Sequence, residues 1–208
     1  MLDLNPYQHK TKIMKASQLL KLYGLGKRDF SQINLVQTDL SEVDLTEVQL
    51  WRANLAQINL SHAVLKRANL SESNLIGATL WRTDLQQVTL VKAQLSQAML
   101  IKSILSQASL QKSNFEQADM RLVCLQGANL QGANLAGANL SYADLRGANL
   151  LGADLSHAIL TGACFTEANL NLTKLKGTIL EGINETKPKK PKARLSPVYA
   201  NKTTPVRK

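Results

Sequence analysis

The 208-residue sequence predicts an all-β solenoid, a chain coiled around stacked leucines and closed at its N-terminal end by a short helix. Three observations carry that prediction. A large apolar side chain falls on every residue number divisible by five from Phe30 to Leu180, 31 positions without an insertion. Only Phe30, Phe115, Met120 and Phe165 among them are not Leu. A second series stands two residues before each position after Phe30. It runs from Ile33 to Thr178 and contains only Ala, Val, Ile, Thr and Ser. Finally, 44% apolar content comes with only 4% aromatics, so one or two side-chain types build the core.

The first element is a basic segment, residues 1–28, with six Lys/Arg and one acid. Within it Ile13, Ala16, Leu20 and Tyr23 share one helical face, with Lys12, Lys15 and Lys21 elsewhere. Gly24 and Gly26 end the helix. An open coil end is an unpaired β edge, and this helix is expected to cover it. The opening "MLDLNPYQHKTK" has no apolar segment of signal-peptide type, and no run approaches the ~18 residues that span a bilayer. A cytoplasmic protein is expected.

The second element is the repeat region, residues 29–183. Residues two apart in an extended chain point the same way, so the small residue and the Leu face inward together. A straight strand cannot keep this up, because an odd period flips each successive Leu. An α-helix drifts about 140° per five residues. The chain must therefore turn once per repeat. Gly77, Gly127, Gly132, Gly137, Gly147 and Gly152, in the outward pair, are expected to tolerate the turn geometry.

The phrase A-(N/D)-L-x-x, as in "ANLQG" and "ADLRG", resembles the pentapeptide-repeat family, cyanobacterial members included. The resemblance covers about three quarters of the chain in 31 in-register copies. It implies a right-handed quadrilateral β-helix with four repeats per coil, hence about eight coils. At strand spacing the rod would be roughly 35–40 Å long. Residues twenty apart would then stack in columns. One column, Asn34, Asn54, Asn74, Gln94, Asn114, Asn134 and Asp154, is expected to form an amide ladder that holds coils together. Cys124 and Cys164 fall two coils apart, about 10 Å, and are expected to be free thiols.

Another face departs from the repeat. Trp81, Ile101 and Arg121 form one column and Arg82, Lys102 and Leu122 the next, with Met99 beside them. An exposed apolar cluster rimmed by cations is the candidate protein-interaction patch. Trp51 and Arg52 repeat the dipeptide on the opposite side without stacked apolar neighbours. The first coil is acidic, with Asp39, Glu42, Asp44 and Glu47.

The third element is the tail, residues 184–208, rich in Pro and Lys and expected to be disordered. Residues 187–208 hold eight Lys/Arg and no acid, against a net −3 for residues 29–186. The tail could contact nucleic acid or an anionic membrane. At the last coil an uncovered layer containing Phe165, Leu170 and Leu175 could pair two copies end to end, although Lys174 and Lys176 on the rim oppose this. The competing solution is that "SPVYA", Ser196 to Ala200, folds back over it.

Catalytic signatures are missing. His9, His62 and His157 have no metal-ligand spacing, no nucleophile sits in a recognisable triad, and the glycines follow the repeat and not a phosphate loop. No enzyme activity and no cofactor are expected. The leading reading is a rigid scaffold that binds an unidentified protein partner. A second is anion binding, to nucleic acid or a lipid surface, through the basic tails. A third, DNA mimicry of the kind that shields gyrase, is implied by some family members, but it needs strong negative charge. Here Arg82, Lys102 and Arg121 interrupt any acidic stripe.

Overall fold

The computed structural model describes residues 13–182. Each repeat begins with two turn residues. A small inward residue, an outward residue and the inward Leu follow. The outward residue of each repeat pairs in parallel with the one twenty positions on: Asn34 with Asn54, Asp39 with Asn59, Asp44 with Val64, Gln49 with Asn69. The same register continues to Asp154–Lys174 and Ile159–Ile179. Four repeats therefore close one coil, and residues 29–182, numbering 154, make just under eight coils of twenty.

Three backbone hydrogen bonds recur at each repeat. Leu35 N–H donates to Asn54 O at 2.8 Å, Asn54 N–H returns to Ile33 O at 2.8 Å, and Gln37 N–H at the corner donates to Ala56 O at 3.0 Å. The corner is closed by Thr38 N–H to Leu35 O at 3.1 Å. That bond makes Gln37 the third residue of the turn, where a left-handed conformation is required. From Gln32 to Gly182 every fifth residue has φ between +53° and +68°. Twenty-two of them are not glycine. The six glycines expected to tolerate the turn, Gly77, Gly127, Gly132, Gly137, Gly147 and Gly152, do adopt it, at φ +65° to +67°. The coil register imposes the conformation, and glycine is one of two ways to meet it.

Inside, the leucines from Leu35 to Leu160 are at most 1% exposed, and Phe115 and Met120 fill the same layer. Ser or Thr at the small inward position is satisfied by a carbonyl. Ser73, Ser103 and Ser113 hydroxyls donate across the corner to Leu70, Leu100 and Leu110 O of the preceding repeat. Those of Thr83, Thr173 and Thr178 donate to Leu60, Leu150 and Leu155 O on the preceding coil. A core hydroxyl that keeps its hydrogen bond avoids the burial penalty of an orphaned polar group.

The helix, α1 (Ala16–Gly24), caps the first coil, but its inner face is rotated from the expected one. Leu19 is fully buried, and Ala16, Leu22 and Tyr23 pack against the same core. Leu20 is 36% and Ile13 53% exposed. The reason is that Ile13 is extended and paired with Asn34, so the helical phase starts only after Lys15. Gly26, at φ +91°, follows the helix, and its N–H donates to Tyr23 O at 2.9 Å. The Tyr23 hydroxyl donates to Thr46 O at 2.8 Å, and the Arg28 guanidinium lies 3.9 Å from the Tyr23 ring centroid. Burial pushes the Tyr23 hydroxyl above the usual tyrosine pKa.

At the far end Phe165 is only 5% exposed, because the corner at Glu181 and Gly182 still pairs with the coil before it. Leu170 and Leu175 are partly buried, and Leu180 is exposed. The uncovered layer expected around Phe165 therefore shifts to these three leucines. The tail, with the anion contacts expected of residues 187–208 and the cover expected of "SPVYA", lies outside the described residues. No helix among the described residues is long and apolar enough to cross a membrane.

Candidate functional site

The coil register assembles the patch. Arg82 N–H donates to Ile101 O at 3.0 Å and Leu80 N–H to Met99 O at 2.7 Å, so the rungs bearing Trp81 and Ile101 are hydrogen-bonded neighbours. Lys102 N–H donates to Arg121 O at 3.0 Å and brings in the next rung. Trp81, Met99 and Leu122 are 37%, 43% and 48% exposed, Ile101 is half-buried, and Arg82, Lys102 and Arg121 are exposed. All seven expected residues thus lie on one face and its corner.

Two apolar members were not in the sequence reading. Ile76 occupies the opposite corner of the same face, on the rung of Trp81, and is exposed. Tyr142 follows Leu122 in its column and is 62% exposed. Reading the face across a rung, and not only along columns, would have found Ile76. Continuing the Leu122 column by one coil would have found Tyr142.

The local interactions hold Trp81 in place. Its ring meets the His62 ring edge-on, with centroids 4.6 Å apart, and the Arg82 guanidinium lies 4.9 Å from the Trp81 centroid. Arg121 grips Asp119, the residue paired with Met99, with two bonds of 2.8 and 2.7 Å. Those hydrogen bonds raise the Arg121 pKa further above its ordinary value. No ion pair engages Arg82 or Lys102 among the described residues. The Trp51 pair is different. Trp51 is half-buried, and Arg52 both stacks on it at 4.3 Å and binds Glu72 at 2.7 Å.

The remaining surface is structural in character. In the expected amide column Asn74 donates to Asn54 at 3.3 Å and Asn134 to Asn114 at 3.0 Å. A second ladder joins Asn129, Asn149 and Asn169 on another face. Cys124 and Cys164 are free thiols. No group of three His, Cys, Asp or Glu among the described residues could hold a metal. An open groove of about 780 Å³ runs along the corner from Lys66 to Glu167. Gln87 and Gln107 line its earlier part and Gly127 and Gly147 its later part. Lys66, Arg67 and Arg146 at its edges are already paired with Asp84, Glu47 and Asp144.

Pentapeptide repeats, eight copies in all, are matched over residues 29–61, 53–90, 90–127, 128–166 and 152–182. The chain belongs to the pentapeptide-repeat family. Among solved structures it is similar to HetL of the cyanobacterium Nostoc sp. strain PCC 7120, a pentapeptide repeat protein involved in heterocyst differentiation regulation. That match has 30% identity, covers 82% of this chain and 94% of HetL, and has a TM-score of 0.43. It is also similar to Rfr23 of the cyanobacterium Cyanothece 51142, at 29% identity over 80% of this chain and 97% of that one, with a TM-score of 0.25. QnrB1, a plasmid-mediated fluoroquinolone resistance protein, is 15% identical over 74% of this chain and 92% of its own, with a TM-score of 0.59. At that identity QnrB1 shares this pentapeptide-repeat protein's fold and nothing more. No curated protein matches the chain.

Proposed function

We propose that this pentapeptide-repeat protein is a non-enzymatic scaffold that binds another protein through the face of Trp81, Met99 and Ile101. One observation carries the reading. Away from the two ends of the coil the exposed large apolar residues are Ile76, Trp81, Met99, Leu122 and Tyr142, and this face clusters the first four of them with half-buried Ile101 on adjoining rungs. Clustered exposed apolar area with an aromatic anchor and a basic rim is the composition of a contact surface. The right-handed sense of the coil belongs to the same reading, supported by family membership and by the likeness to QnrB1.

The surface charge argues against the DNA-mimic alternative. Ion pairs Arg52–Glu72, Arg67–Glu47, Lys66–Asp84 and Arg146–Asp144 neutralise carboxylates along the rod, and Arg82 and Lys102 stand unneutralised on one corner. A duplex mimic needs the opposite sign there.

The test is the full chain carrying Trp81→Ala with Ile101→Ser. Cross-linked partners captured by the wild type from its own cell extract should be lost, while the thermal unfolding midpoint stays within about 2 °C. Loss of folding in the double variant would mean that these side chains pack structurally, and the contact surface would be refuted.

A further inference from the structure

We propose that the occupant of this face is an acidic amphipathic α-helix of another protein, lying along the rod axis. The inference rests on the reading of the face as a contact surface and adds the chemistry of what covers it.

Backbone pairing is excluded first. The rungs of the patch already spend their main-chain groups on neighbouring coils. Trp81 O accepts from His62 N–H at 2.9 Å, Ile101 O accepts from Arg82 N–H at 3.0 Å, and Arg121 O accepts from Lys102 N–H at 3.0 Å. An added strand would find no free edge here, so recognition falls to side chains alone. Those side chains form an apolar stripe, Trp81 and Ile101 with Met99 beside them, that runs along the axis. Parallel to it, on the corner, run Arg82 and Lys102.

The spacing favours a helix. Rungs repeat at about 4.8 Å, and an α-helix presents a side chain on one face every 5.4 Å or so. Laid along the axis, a helix offers one apolar residue per rung and drifts by only about 1–2 Å over three rungs. Its flank over the corner must bear carboxylates, because Arg82 and Lys102 have no ion pair among the described residues while Arg121 is held by Asp119. A partner apolar on one face and acidic beside it satisfies both requirements. A second copy of this chain does not. The one helix among its described residues, α1, carries Lys21 with Lys15 at its N-cap and would set like charges against Arg82 and Lys102.

Two synthetic helical peptides test this, with identical Leu stripes and with flanks of Glu in one and Lys in the other. The probe is Trp81 fluorescence in the full chain bearing Trp51→Phe, since the chain has two tryptophans. The Glu peptide should bind about tenfold more tightly than the Lys peptide at low salt. Arg82→Glu with Lys102→Glu should reverse that preference, and Trp81→Ala with Ile101→Ser, read by calorimetry, should abolish binding. Equal binding of both peptides, lost in the Trp81 variant, would refute the acidic helix and leave the contact face standing. Failure of both peptides to bind the wild-type face would refute the acidic helix as well. Displacement of the Glu peptide by a DNA oligonucleotide or by anionic vesicles at equal charge concentration would also overturn the proposal, in favour of a polyanion.

Discussion

The early and late coils reach the same backbone by different sequences. From Gln32 to Gln117 every corner residue but Gly77 carries a side chain, whereas Gly127, Gly132, Gly137, Gly147 and Gly152 dominate the corners that follow. The φ values hardly differ, +53° to +63° for non-glycine corners and +65° to +68° for glycine corners. A side-chain-bearing residue in this conformation gives up about 1 kcal/mol that glycine does not. The early coils recover part of that cost by linking corners across coils. Gln37 donates to Gln57 at 2.8 Å, Arg52 to Glu72 at 2.7 Å and Arg67 to Glu47 at 2.8 Å. The late coils relieve the strain at their glycine corners and keep it at Tyr142, His157, Glu167 and Leu172. Glycine therefore relieves the turn without causing it.

The largest expected effect tests what the two regions share. Leu60→Ala between the side-chain corners Gln57 and His62 and Leu150→Ala between the glycine corners Gly147 and Gly152 remove equivalent fully buried side chains. Each should cost about 2–5 kcal/mol in denaturant unfolding, and the two values should agree within about 1 kcal/mol. A much larger loss in one region would show that corner chemistry, and not the leucine core, governs stability there.

A smaller effect separates corners that look alike. A Cβ at Gly162 would lie 2.6 Å from the Tyr142 ring, whereas one at Gly147 meets nothing within 4 Å. Both have positive φ. Gly147→Ala should cost about 1 kcal/mol from conformation alone. Gly162→Ala should cost about 1 kcal/mol more, because the Tyr142 ring must swing off the corner. Restoring Gly162→Ala to the Gly147→Ala value by adding Tyr142→Ala would confirm the cause, and a persistent gap would reject it.

The smallest effect concerns acid. At the pairing positions of the first coil, Asp39 and Asp44 accept from the residues two ahead, Ser41 N–H and the Thr46 hydroxyl. Those bonds hold both carboxyl groups below their ordinary pKa. In the later coils Asn134 and Asn139 accept the equivalent bonds from Ala136 and Ser141 N–H without titrating. A depressed folded pKa stabilises above the unfolded value, and that stabilisation is lost as pH falls through the folded value. Protection factors, corrected for the intrinsic pH dependence of amide exchange, should therefore be level at neutral pH and fall below about pH 4 in the first coil before residues 126–140. Simultaneous opening of both regions would deny the distinction.

Much of this architecture was legible because a five-residue count with no insertion makes the chain turn once per repeat, and the family resemblance implied four repeats per coil. The Trp81 cluster was legible for the same reason, since columns place Ile101 and Leu122 beside it. The phase of α1 was not, because Ile13 looks like the first residue of an amphipathic stripe until its pairing with Asn34 removes it from the helix. The corner conformation was hidden too. Gln, Glu, Lys and Arg give no local sign of positive φ, and only the hydrogen bonds of a residue such as Gln37 to the next coil require it.

The unbroken register has a consequence for orientation. Since pairing always skips twenty residues and each coil has four faces, residue number works as an angular coordinate around the rod. Removing twenty residues between Phe30 and Trp81 would bring the Trp81 face one coil nearer to α1 and leave it pointing the same way. Removing five would shift it by only a fraction of a coil along the axis but swing it a quarter turn. The chain can thus set distance and bearing between its cap and its contact face independently, in steps that leave every leucine in the core.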